Sequence, residues 1–464
     1  MPGSVSHYLG ALLLAVLAAN AEPCAAFTDL LGALAAAEQS DPTYREAQDK
    51  ALATAEEIPQ ARAQLWLPNI DFTAGVSRVE QSLSGGLNFG NGNSPSYTGN
   101  EYRINLSQPV YHHDRYVVLR QADKRLQQAQ YEVLAARQDL MLRVAERYFN
   151  QLATHDSLVF AKAETESLKS QLDQAQQRFQ VGLIAITDVQ EAQAGYDRAQ
   201  ASEISATNEV QNANEALREV TANYDLDLAP LGENLPLVIP EPLDIERWTT
   251  TALERNLALS AARMAADIAH EEIGRQSAGH YPSFDIVGGH SFNKQGGRFG
   301  SSSVAQNDIG IQVTVPIYAG GQVVSRTRAA EHQSNATLER LEQTQRAVHR
   351  ETREAYLGVA TKISSVKALR QAVVSSQTAL ESTRAGLEVG TRTGVDVVVA
   401  ERSLYQAKRD FSRARYDYIV ETLRLKKAAG SLQPDDLAAA NSWLLGSASS
   451  AAPSAASVNP GSKP

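Results

Sequence analysis

INLSQPVY, Ile104 to Tyr111, and IQVTVPIY, Ile311 to Tyr318, are two versions of one segment within a single chain, with Pro109 matched to Pro316. In the first, Tyr102, Ile104 and Leu106 alternate with Glu101, Arg103, Asn105 and Ser107; in the second, Ile309, Ile311, Val313 and Val315 alternate with Asp308, Gly310, Gln312 and Thr314. A period of two belongs to a β-strand with one apolar and one polar face. Working outward, LPNIDFTAGVS (Leu67 to Ser77) precedes the first segment and YPSFDIVGGHS (Tyr281 to Ser291) the second, pairing Pro68 with Pro282, Asp71 with Asp285 and Gly75 with Gly289. Ile70, Phe72, Ala74 and Val76 carry the same alternation. Between the strands of each pair lie polar, glycine-rich stretches, Ser84 to Asn100 and Asn293 to Asp308, whose composition suits surface loops. Each half of the chain is therefore expected to hold one long β-hairpin, at about 69–110 and about 283–317.

The duplication continues beyond the hairpins, at an offset a little over about 200 residues. AERYFNQLAT (Ala145 to Thr154) resembles REAYLGVATK (Arg353 to Lys362), and VGLIAITDVQ (Val181 to Gln190) resembles VGTRTGVDVV (Val389 to Val398). Proline-free runs of Ala, Gln, Glu, Leu, Arg and Lys predict long helices over His112 to Gln180, Asp188 to Tyr224, Gly321 to Gly386 and Val395 to Gly430. At 1.5 Å per residue the longest reaches about 100 Å. Leu126, Val133 and Leu140, with Ala129 and Ala136 between them, keep the spacing of helices packed as coiled coils. Shorter helices are expected ahead of each hairpin, from Asp29 to Ala63 and from Ile245 to Gln276. The layout is a first repeat at 27–227, a proline-punctuated linker at 228–244, a second repeat at 245–437 and a disordered tail at 438–464. Gly182 and Gly390 stand where long helices should stop, and Thr187 with Gln190 has the pattern of a capping box opening the next helix. Asp188 and Asp396 fall at matching positions just inside the new helices, where a carboxylate suits the positive helix end.

Composition narrows the function. The chain has 464 residues, is 43% hydrophobic and 21% charged, and is long enough for a large core or several domains. Leu9 to Ala19 is apolar but too short to span a bilayer as a helix, and small residues follow it. Residues 1–26 are read as a signal peptide, with cleavage after Ala21 or after Ala26. Pro23 before Cys24, the single cysteine, and the lack of a suitable upstream Leu argue against lipidation there. No later apolar run approaches about 20 residues, so membrane insertion would have to use a β-barrel. The net charge of −10 is spread along helices, which leaves no footprint for nucleic acid. His112 and His113, which precede Asp114 at the end of a strand, have no third ligand at useful spacing, and Gly90 with Gly92 lacks the context of a nucleotide loop. With no recognisable nucleophile, metal or phosphate motif, neither an enzyme nor a bound cofactor is expected.

Four amphipathic strands are too few to close a barrel, since the smallest bacterial outer-membrane barrels take about 8. Open edges are not tolerated in lipid, so several chains must share one barrel, and three would supply about 12 strands. The long helices on either side of each hairpin would then continue as a ring. Phe72, Tyr97, Tyr102, Phe284, Phe292 and Tyr318 lie near strand ends, where interfacial girdles form. In order and content, RFQVGLIAITDVQ (Arg178 to Gln190), VPIYAGG (Val315 to Gly321), QAVVSSQTALES (Gln371 to Ser382) and VGTRTGVDVV (Val389 to Val398) resemble the TolC family of outer-membrane efflux proteins.

The resemblance spans about Phe27 to Leu437. It implies a homotrimer with a 12-stranded outer-membrane barrel continued by a periplasmic α-helical barrel. It further implies a periplasmic adaptor and an inner-membrane ABC or proton-driven pump as partners, with the type I secretion member of the family as the nearest likeness. Cargo would be an exported protein, such as a toxin of the repeat-in-toxin kind, or small drugs. The family's periplasmic constriction falls on Thr187, Asp188, Arg392 and Asp396, and three copies of Asp396 around one axis would form a cation-attracting ring. At two gate positions the chain departs from the family's best-known member, with Leu387 in place of Tyr and Val399 in place of a second ring Asp. A periplasmic adaptor or a secreted coiled-coil binding protein would explain the helices but needs no pair of lipid-patterned hairpins.

Overall fold

The computed structural model describes residues 28–80, 96–224, 227–297 and 300–445. The signal-peptide reading at 1–26 and the end of the expected tail, from 446, lie outside the described residues. So does most of the first glycine-rich stretch. Strands β1 (Asn69–Glu80), β2 (Ser96–Tyr111), β3 (Ser283–Gly297) and β4 (Gly300–Thr314) are joined by helices α1 (Leu30–Ser40), α2 (Pro42–Ala55), α3 (Glu57–Trp66), α4 (His113–Gln180), α5 (Ile186–Thr221), α6 (Ile245–Arg255), α7 (Leu257–Ser277), α8 (Gln322–Glu388), α9 (Gly394–Ala428) and α10 (Pro434–Asn441). The chain divides into two compact units, one of Thr43–Ala136 with Leu253–Arg350 and the other of the remaining segments.

The first of these units carries the strands. β1 and β2 form one antiparallel hairpin and β3 and β4 the other, and β2 also pairs with β3, giving one sheet in the order β1-β2-β3-β4. Two hairpins far apart in sequence thus share a ladder. Their register sets Tyr102 opposite Phe292, and the two rings stack with centroids 5.1 Å apart. The β2–β3 register shifts between Pro109 and Tyr111, where proline has no N–H to give to the ladder. Pro316 lies past the end of β4. Ile309 and Ile311 on β4 are 86% and 75% exposed, and Ile70, Phe72 and Val76 on β1 are exposed as well. Among the described residues, the sheet is therefore open at both edges and uncovered on its apolar face.

Several boundaries differ from expectation. The stretch Asn293 to Asp308 is mostly strand, paired from Lys294 with Ser303 to Gly297 with Gly300, so the second hairpin is longer and its loop shorter. The helix expected over Asp29 to Ala63 is three. Pro42 cannot continue α1, and the extended residue before it, Asp41, is buried in an ion pair with Arg143 at 2.9 Å. Pro59 falls in the first turn of α3, where a missing N–H costs nothing. Likewise Asn256 divides α6 from α7, and its side chain caps the second by accepting from the Leu259 N–H.

The other unit is helical. Ala192, Ala199, Ala206 and Ala213 repeat every seventh residue on α5 and are all buried, the small-residue seam of closely packed helices. Part of the predicted tail belongs to this core: residues 438–441 complete α10, and Leu444 bridges Leu231 of the linker. Asn441 accepts from the Leu30 N–H and donates to Asp29, fastening α10 to the start of α1. The buried Tyr148 hydroxyl lies 3.1 Å from the Thr28 carbonyl and 3.2 Å from that of Ala229. Tail, linker and first helix are held as one cluster because each satisfies polar groups that the others bury.

Candidate gate at the helical tips

Both helical hairpins turn by the same device. Gly182 has φ +76° and Gly390 φ +77°, left-handed values that a Cβ would oppose. After each, an amide reaches back five residues: Leu183 N–H to Arg178 C=O at 2.9 Å, and Thr391 N–H to Gly386 C=O at 2.8 Å. These bonds, with those from the glycine amides to Phe179 and Leu387, satisfy carbonyls orphaned by the helix end.

The two following helices begin differently. Thr393 caps α9: its hydroxyl accepts from the Asp396 N–H, while the Asp396 carboxylate accepts from the Thr393 N–H at 2.9 Å and its hydroxyl at 3.0 Å. The matching residue before α5 is Ala185, which has no side-chain cap to offer. The expected box of Thr187 with Gln190 is therefore corrected, because Thr187 already lies inside α5, and the box occurs instead in the other repeat. The Thr393 N–H and hydroxyl, with Arg392 nearby, hold the Asp396 carboxyl below the usual range.

Arg392 is exposed, and its stem lies over Gly386, where a Cβ would come within 2.7 Å of the Arg392 Cγ. Arg392 and Asp396 thus share one turn, while Thr187, exposed, and Asp188, half-buried, share the other. Among the described residues, no hydrogen bond or ion pair joins the two turns. Leu387 points inward, packed with Val373 and Ala400 against buried Leu380, Val397 and Leu404. Val399 is 55% exposed and lines a groove of about 260 Å³ with Arg198, Arg402 and Arg409.

The sequence reading missed a buried carboxylate near this site. Glu401 is 0% exposed on α9; its Oε1 accepts from the Ser167 hydroxyl on α4 at 3.0 Å and pairs with the Arg384 guanidinium on α8. The available signal was its position: Val397, Glu401 and Leu404 follow helical spacing on one stripe, so a charge sits where the pattern asks for an apolar residue.

The sequence profile of the outer membrane efflux protein family matches residues 33–223 and again 248–431, one match to each half of the duplication. The chain belongs to that family. Outer membrane protein TolC of Vibrio cholerae serotype O1 is 36% identical over 456 residues, covering 96% of this chain and 98% of that protein. The alkaline protease secretion protein AprF of Pseudomonas aeruginosa is 29% identical, covering 72% of this chain and 70% of its own length. In fold, the chain is similar to the CmeC outer membrane channel of Campylobacter jejuni, with a TM-score of 0.74, 18% identity and 89% of each chain covered. As an outer membrane efflux protein the chain is a transport channel of the outer membrane, and it does no covalent chemistry. Among the described residues, no helix is long and apolar enough to cross a membrane.

Proposed function

We propose that this outer membrane efflux protein works as a homotrimer, in which three four-stranded sheets close one barrel of about 12 strands and the long helices continue it through the periplasm. The observation that carries this is the open sheet: one chain leaves the edges of β1 and β4 unpaired and the side chains of Ile309 and Ile311 exposed. Hydrocarbon offers no hydrogen bonds to such edges, so they must meet other copies. The channel is a passive duct. An inner-membrane pump, ABC or proton-driven, works through a periplasmic adaptor to open it, and Thr187, Asp188, Arg392 and Asp396 form its constriction. The relative named for alkaline protease secretion supports a type I cargo, an exported protein such as a repeat-in-toxin polypeptide, with small drugs as further substrates.

Purification from outer membranes tests the assembly. A trimer that survives mild detergent and falls to monomer on heating, and that opens pores in planar bilayers, is expected. A monomer without pore activity would overturn the reading. Export of a type I toxin by cells whose own channel has been deleted tests the cargo.

A further inference from the structure

α4 and α9 are joined by a line of polar contacts that includes Glu146 with Arg424 at 2.7 Å and Glu164 with Arg409 at 2.7 Å, and it ends toward the tips at Ser167 with Glu401. Beyond that rung the character of the contact changes. Among the described residues, nothing polar joins residues 168–200 to residues 385–400, and Gly195 stands so close to Val398 that a Cβ there would come within 3.1 Å of its Cγ1. The α8–α9 tip is held together by its own apolar cluster of Leu380, Val397 and Leu404, with Leu387 packed on it. Among the described residues, Glu401 is the point at which both helices of this tip are bonded to α4.

The chemistry of that point is unusual. The Glu401 side chain is 1% exposed, its Oε2 has no partner, and its charge is balanced by Arg384, which is 52% exposed. A buried carboxylate is tolerated only while its counter-charge stays in place, and without it the group drives its surroundings apart to reach water. We propose that Glu401 is the latch of the gate: Arg384 and Ser167 clamp its carboxylate between α8, α9 and α4, and the channel opens when the clamp parts and the α8–α9 tip moves away from α4. The latch rests on the channel reading above, and it assigns to three residues behind the constriction the tie that holds the tip to α4 within one chain.

Single-channel recording on trimers extracted from the outer membrane tests it. Arg384→Met leaves the buried charge uncompensated and is expected to raise the open probability by about tenfold, the effect of a modest free-energy bias. Adding Glu401→Gln removes the uncompensated charge and keeps an oxygen for the Ser167 hydroxyl but does not restore the tie to Arg384, so the open probability is expected to fall only part of the way back toward that of the unsubstituted protein. Ser167→Ala, which removes only the bond to α4, is expected to give a smaller rise and carries the test if Arg384→Met fails to assemble. Unchanged gating in heat-sensitive trimers of Arg384→Met, or of Ser167→Ala where that variant carries the test, would overturn the latch. So would a double variant as open as the single one. A purely structural pair would lower the trimer's dissociation temperature and leave open probability alone. An unsubstituted protein that forms no pore would defeat the channel reading, whereas a pore indifferent to these substitutions would defeat only the latch.

Discussion

At the scale of single residues, Asp396 has one task seen in the structure and a second in the proposed trimer. Its carboxylate closes the capping box with Thr393, and as a member of a three-fold ring it would give the pore its preference for cations. Asp396→Asn is expected to weaken that preference, read as a reversal potential moved toward zero in a salt gradient. Because Thr393 holds the Asp396 carboxyl below its ordinary value, the ion is more favourable in the folded tip than in an unfolded chain. The resulting stabilisation is present above the ordinary Asp range and is lost as the pH falls through the lowered folded value. Thr393→Val removes the hydroxyl from that arrangement, so the pH at which cation preference fades should move upward. Loss of such a cap costs about 1 kcal/mol, which hydrogen exchange at the first amides of α9 would register as faster exchange.

At the scale of elements, the helical turns and the β-hairpins make separate predictions. Gly390 adopts a left-handed conformation that costs a residue with a Cβ about 1–2 kcal/mol. Gly390→Ala should fray the last turn of α8 and speed exchange of the Thr391 amide, while leaving the sheet and its insertion untouched. For the second β-hairpin, Ser302 is an exposed residue of β4 close to the turn, and Ser205 is exposed on α5. A cysteine at Ser302 is expected to react with an impermeant maleimide on intact cells, and one at Ser205 only after the outer membrane is opened. Protection of the Ser302 cysteine in a folded, inserted protein would show that this turn does not reach the cell exterior.

For the whole molecule, the decisive quantity is how much apolar sheet surface a single chain leaves bare. Ile311 is 75% exposed and belongs to the alternating apolar set of β4, on the face assigned to lipid. Arginine on the lipid face of a barrel costs about 2–4 kcal/mol near the bilayer midplane. Ile311→Arg should therefore reduce the amount of trimer recovered from outer membranes. The neighbouring Gln312→Arg, whose side chain takes the opposite face, should be tolerated and should alter ion selectivity instead. Equal recovery of the two variants, with equal selectivity, would mean that the faces have been assigned the wrong way round.

The sequence by itself determined what depends on near neighbours along the chain. Alternation at Ile309 to Val315 fixed a strand, the glycines at 182 and 390 fixed the helix ends, and the matching motifs fixed the duplication. Those features follow from φ/ψ preference and side-chain period, which act over a few residues. Tertiary structure alone decided which surfaces meet. It paired β2 of the first repeat with β3 of the second, turned Leu387 into an apolar cluster, and drew Ala440, Asn441 and Leu444 of the expected tail into the core. It also placed Glu401 among three helices, where the same residue on an unpacked α9 would be one more solvated charge. Burial and counter-charge are properties of packing between distant segments, and no local pattern specifies them.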